Sequence, residues 1–163
     1  MKYNNSMEKD RELGARHGLT LIEILIAIAL VVITAGIGLV ALNPAGQIAA
    51  SRNTERKLHL QGILNAVRQN IADTTTGSFS CSSGPLPTTS TIMSSAGGGY
   101  NIAPCLVPVY LQTMPFDPLA SSGQYTSNTN YNTDYTIVYN ASTTQITVVA
   151  PYAELGKTVS ITR

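Results

Sequence analysis

Apolar residues run almost unbroken from Leu19 to Leu42, then recur at helical spacing, and finally alternate with polar residues in short stretches near the C-terminus. The first zone reads LTLIEILIAIALVVITAGIGLVAL. As a helix it is roughly 36 Å long, enough to cross an apolar bilayer core of about 30 Å. In lipid only a helix satisfies every backbone polar group within one segment, so its many β-branched residues do not prevent helix formation there. Being apolar all round, it would need a large protein envelope if it were a soluble core helix, and the rest of the chain is too short to supply one. Gly36, Gly38 and Gly46 each weaken a helix by about 1 kcal/mol relative to alanine and mark a soft joint.

Asn43-Pro44 ends or kinks this helix and is suited to begin another, with Asn43 as N-cap and Pro44 as first helical residue. The spacing predicts a second helix from Pro44 to about Ala72. Leu60, Ile63, Leu64, Val67 and Ile71 form one apolar stripe that should pack on a sheet. The other face carries Arg52, Asn53, Glu55, Arg56, Lys57, Gln61, Arg68 and Gln69, either as a solvated surface or as subunit contacts.

Residues 73–133 turn to Ser, Thr, Gly, Pro and Asn and read as a connecting loop with a short turn of structure around Leu106 to Leu111. Alternation then predicts strands around Tyr135-Ile137-Tyr139, Ile146-Val148 and Val159-Ile161 over residues 134–163. Ala141-Ser142-Thr143 suits a hairpin, and Pro151 to Lys157 a longer turn. The fold class is α+β: a long N-terminal helix, half transmembrane and half amphipathic, packed on a small antiparallel sheet of three to four strands.

Charge sharpens the first zone. Lys2, Glu8, Lys9, Asp10, Arg11, Glu12 and Arg16 crowd the first eighteen residues, after which Glu23 stands alone until Arg52. The net charge of +1 over 163 residues displays no basic face for nucleic acid. An ordinary secretory cleavage site is missing, because Ala41-Leu42-Asn43-Pro44 offers no A-x-A pattern. A carboxylate within an apolar span costs up to about 3 kcal/mol, less near an end. Thr20-x-x-Glu23 fits a capping box, which would offset part of that cost.

Cys81 and Cys105 form either a disulfide closing the loop or two buried thiols. His17 and His59 stand apart from any nucleophile-base-orienter set, so catalysis is not expected. Asn140-Ala141-Ser142 matches a glycosylation sequon by pattern.

Gly18-Leu19-Thr20-Leu21-Ile22-Glu23, after a charged leader and before an unbroken apolar run, resembles the class III signal of type IV prepilins and type II secretion pseudopilins. The segment from Leu106 to Pro118, with Tyr110-Leu111 ahead of Pro115-Phe116-Asp117-Pro118, is similar to the region before the sheet in pseudopilins. The resemblance implies a pilin-like fold and a leader, 1–18, cut between Gly18 and Leu19 by a prepilin peptidase at the cytoplasmic face. It implies N-methylation of the Leu19 amine, although the family more often has phenylalanine or methionine there. It also implies that Glu23 attracts that amine on a neighbouring subunit. Residues 19–42 would then be the transmembrane and filament-core helix, 43–72 the amphipathic helix of an extracytoplasmic head, 73–133 its disulfide-pinned loop and 134–163 its sheet. The implied partners are copies of itself and other pilins, the peptidase, an inner-membrane assembly platform and, before assembly, membrane lipid. Some relatives hold calcium beside the sheet, where this chain offers Asp117 and Asp134, thin for a cation that wants six to eight oxygens. The expected function is structural, as a subunit of a pilus-like filament or a secretion or DNA-uptake pseudopilus. The alternative is a solitary single-pass anchored binding domain outside the membrane.

Overall fold

The computed structural model describes residues 18–41, 43–119 and 121–163; the charged leader before Gly18 and the expected helix end at Leu42 lie outside them. The chain divides into two units, residues 1–43 and 44–163.

The first unit contains helix α1, Leu21–Ala41. Its Leu21–Gly38 window is long and apolar enough to cross a membrane, and none of it is buried. Thr34, a polar residue inside that window, hides its hydroxyl by donating to the Leu30 carbonyl at 2.8 Å, the usual way a threonine is satisfied within an apolar helix.

The second unit opens with helix α2, Pro44–Asp73, which starts at the proline as its fixed backbone angle favours. The unit continues through strand β1 (Thr91–Ser94), a single helical turn α3 (Ala103–Leu106) and strands β2 (Gln124–Ser127), β3 (Asn130–Asn140), β4 (Gln145–Ala150) and β5 (Val159–Thr162). All pairings are antiparallel. The sheet runs β1-β3-β4-β5, and β2 also pairs with β3. Among the described residues it therefore has five strands, where the sequence led us to expect three to four.

The core lies between α2 and the sheet. Leu60, Ile63, Leu64 and Val67 of the anticipated stripe are fully or almost fully buried and meet Tyr135, Ile137, Ile146 and Val148 from the inward face of β3 and β4. Ile71 is only half-buried at the edge. Each large aliphatic residue withdrawn from water contributes about 1.5–3 kcal/mol, and this packing is what makes α2 helical over its whole length.

Residues 73–133 are not simply a connecting loop. They supply β1, α3 and β2, and β3 begins four residues earlier than expected, at Asn130. The expected turn of structure around Leu106 to Leu111 is present, with the Tyr110 and Leu111 N–H groups both donating to the Leu106 carbonyl, and it is preceded by the helical turn Ala103–Leu106. Thr91-Ile92-Met93-Ser94 is too short to show alternation; pairing with β3, from Thr91 opposite Ile137 to Ser94 opposite Asn132, is what makes it a strand. Met93, Ile102, Ala103, Leu106 and Met114 from this region enter the core.

Cys81 and Cys105 are joined in a disulfide across 24 residues. The Asn70 side chain supports the same junction, accepting from the Ser80 N–H at 2.9 Å and donating to the Ser80 and Cys105 carbonyls. Reduction, or a Cys81→Ser/Cys105→Ser pair, is expected to lower unfolding free energy by about 3.5 kcal/mol on the chain-entropy account of loop closure. Denaturant titrations with and without reductant check this; coincident curves would mean that the loop is held by its packing alone.

Candidate functional site

Two polar features stand out against this frame, one in each unit. In the first, Gly18, Leu19 and Thr20 precede α1 as exposed, non-helical residues, with Leu19 69 % exposed. A side chain added at Gly18 would meet nothing within 4 Å, so no contact among the described residues requires glycine there. The Thr20 hydroxyl accepts the Glu23 N–H at 3.2 Å, and its carbonyl accepts the Ile24 N–H at 3.2 Å. This is one half of the predicted capping box, satisfying donors that an uncapped helix start leaves open. The Glu23 carboxylate lies exposed in the first turn of α1, where the positive end of the helix dipole favours it.

In the second unit, a charged seam crosses the base of the core. Arg56, expected on the outward face of α2, is completely buried, and Asn53 almost so. The Arg56 guanidinium grips Asp117 through two parallel bonds, Nε to Oδ2 at 2.7 Å and Nη2 to Oδ1 at 2.9 Å. Its remaining nitrogen, Nη1, donates to Asn53 Oδ1 at 2.9 Å and to Glu154 Oε2 at 2.8 Å. Arg52 also grips Glu154 through Nε and Nη2. Asn53 completes the seam by pairing with the Glu154 backbone in both directions, at 2.8 and 2.9 Å. Three segments distant in sequence are thus tied to one side of α2: the helix itself, the approach to β2 and the β4–β5 turn. Charge-assisted and bidentate bonds are the strong members of their class.

A signal for this seam was present in the sequence. Asn53 and Arg56 precede Leu60 at spacings of three and four, so they continue the apolar stripe toward the start of α2. The carboxylates that satisfy Arg56 lie 61 and 98 positions away, which helical periodicity cannot reveal.

The two carboxylates considered for calcium are differently engaged. Both oxygens of Asp117 face the Arg56 guanidinium, which repels a cation. Asp134, in a left-handed conformation at φ 55° where the pairing of β3 with β1 shifts register, accepts from the Ser122 hydroxyl and the Asn132 amide. The loop between them passes so closely that a Cβ on Gly123 would come within 2.8 Å of the Asp117 carbonyl. Among the described residues, no three His, Cys, Asp or Glu side chains are placed to share a metal ion. The donor set does not suit calcium.

No family model, curated protein or solved structure matches this chain. The reading of these two features therefore rests on their own chemistry.

That chemistry makes stability pH-dependent. Hydrogen bonds from Arg52 and Arg56 hold the Glu154 carboxyl down to about 2 from its ordinary 4.5. The folded state therefore binds this proton less readily than the unfolded chain, and the associated stability, present above about pH 4.5, is lost as pH falls toward 2. His59, whose Nδ1 lies 2.9 Å from the Tyr135 hydroxyl, is lowered from 6.5 chiefly by burial. The same sign applies, so acidification below about pH 6.5 already begins to favour the unfolded chain. Urea midpoints should fall in two stages on acidification, and Glu154→Gln should shrink the lower one. A midpoint independent of pH between 7 and 3 would contradict the seam as drawn.

Proposed function

We propose that this chain is a structural subunit of a type IV pilus-like filament or a related pseudopilus. The resemblance of Gly18–Glu23 to a class III signal supports a cut after Gly18, with the cut end at the cytoplasmic face and the head outside the inner membrane. The observation that carries the reading is α1 itself: an apolar surface with no cover anywhere along the Leu21–Gly38 window and one carboxylate in its first turn. Lipid covers such a surface before assembly, and copies of the same helix cover it afterwards.

Glu23 explains why the bundle would form in register. Removal of the leader creates a cationic α-amine at Leu19, and a neighbouring Glu23 is the only acid within reach along an apolar rod. An unpaired carboxylate in that setting is costly, so packing that joins it to the amine is favoured over packing that does not. The second unit then serves as the exposed head, its α2-to-sheet packing locked by the Arg56 seam and the disulfide. A structural head of this kind has no need of catalysis. Other pilins and an inner-membrane assembly platform are its expected partners.

Expression in cells that carry the assembly machinery, with and without the prepilin peptidase, tests the reading. The expected result is filaments containing this chain only when the peptidase is present, with full-length protein retained in the membrane otherwise. Membrane-retained, uncut protein in both cultures would favour a solitary anchored domain.

A further inference from the structure

The head carries a groove that neither the filament reading nor the charged seam uses. It opens between the C-terminal end of α2, the loop over residues 77–86 and the β3–β4 hairpin, as two adjoining cavities of about 620 and 320 Å³ that share Ile71, Thr144 and Ile146. The larger is walled by Ile71, Phe79, Pro85, Leu86, Tyr139 and Ile146. Its volume is that of a small-molecule site. The smaller is bounded by Arg68 and Arg163.

These two arginines differ from the others of the head. Arg52 and Arg56 are spent on carboxylates, whereas the side chains of Arg68 and Arg163 have no hydrogen-bond or ion-pair partner among the described residues. The Arg163 backbone is held at the groove, since it exchanges hydrogen bonds with Ile146 at 2.7 and 3.0 Å. Two guanidinium groups without a partner among the described residues thus bound one small cavity from its solvent side. The nearest acid along α2, Asp73, lies five residues beyond Arg68.

The walls are held open by ties independent of any ligand. The disulfide and the Asn70–Ser80 bonds anchor the loop to α2 and α3, and the Tyr139 N–H donates to the Pro87 carbonyl at 2.7 Å on the opposite side. A groove that cannot collapse onto itself leaves its apolar wall to a ligand, at little ordering cost.

We propose that this groove binds a small anionic amphiphile of the single-chain carboxylate class, its apolar body against Phe79, Leu86 and Ile146 and its carboxylate between Arg68 and Arg163. Charge complementarity selects an anion, and a cavity of this volume suits a single free chain better than a two-chain bilayer lipid.

The test uses the full chain in phosphatidylcholine nanodiscs, with octanoate as probe and octanol as its uncharged counterpart. Saturable octanoate binding is expected, with intermolecular NOEs to the Leu86 and Ile146 methyls. Arg68→Gln/Arg163→Gln should weaken octanoate at least tenfold while leaving octanol unchanged, and Arg68→Lys/Arg163→Lys should restore most of the difference. Ser80→Trp, at an exposed position lining the groove, should remove both ligands. The proposal is overturned if octanoate fails to bind the wild-type chain, or binds the Gln pair equally well. It is also overturned if phosphatidylglycerol added to the discs takes over the Leu86 contacts, or if raising the number of chains per disc replaces them with contacts from a second copy.

Discussion

Arg56→Met is expected to lower the stability of the head by about 3–5 kcal/mol, the range found when one partner of a buried ion pair is deleted and the other is left behind. Methionine fills much of the same space, so the loss does not arise from a cavity. It arises because Asp117, 1 % exposed, would face no guanidinium, and because Asn53 and Glu154 would each lose an Arg56 donor. Arg56→Lys should recover little, since an ammonium cannot span both Asp117 oxygens and still reach Glu154. The decisive comparison is Arg56→Met/Asp117→Leu. Removing both leaves no unpaired buried charge, so the pair should recover part of the loss, as apolar replacement of buried ion pairs often does; the rest remains because Asn53 and Glu154 still lack their Arg56 donor and the Leu119 N–H its Asp117 acceptor. Denaturant unfolding of the wild type, Arg56→Met, Asp117→Leu and the double variant measures the coupling directly. Additive losses in the double variant would show that the two side chains act independently, against the bidentate geometry.

The second large effect is expected at Glu23. Glu23→Gln keeps a side chain able to accept hydrogen bonds in the first turn and leaves the Thr20 hydroxyl free to accept the residue 23 N–H, so helix α1 and cleavage after Gly18 should be unaffected. Charge is what changes. An ammonium and a carboxylate about 4 Å apart attract by about 4 kcal/mol at an effective dielectric near 20, and that term would be absent between every pair of neighbours in a filament. Glu23→Gln protein is therefore expected to be processed normally and to accumulate in the membrane without assembling. Filaments of normal length and number by electron microscopy would remove Glu23 from the assembly mechanism.

Much of this architecture can be read from the chain alone, for reasons particular residues make plain. Helix α1 follows from one apolar run, and α2 from Pro44 at its start and the Leu60-to-Val67 stripe along its length. Strands β3 to β5 announce themselves through Tyr135-Ile137, Ile146-Val148 and Val159-Ile161, because each turns one apolar face to the core, buried in β3 and β4 and half-buried in β5. β1 and β2 lack that pattern. Gln124-Tyr125-Thr126-Ser127 has no alternating hydrophobic face of its own and exists as a strand through its pairing with Asn130–Asn132. The charged seam was hidden for a different reason: a buried arginine obeys helical periodicity but contradicts its usual meaning, and only its distant partners make the position tolerable. The groove depends similarly on Arg68 and Arg163, 95 positions apart in sequence, bounding one cavity.

Under the proposed function, a charged leader is removed to free an apolar rod that then bundles with its own kind. N-terminal sequencing of the mature protein, taken from membranes or from sheared filaments, tests this most directly. The first residue is predicted to be Leu19, followed by Thr20, Leu21 and Ile22. A sequence beginning at Met1, or at any residue beyond α1, would contradict it.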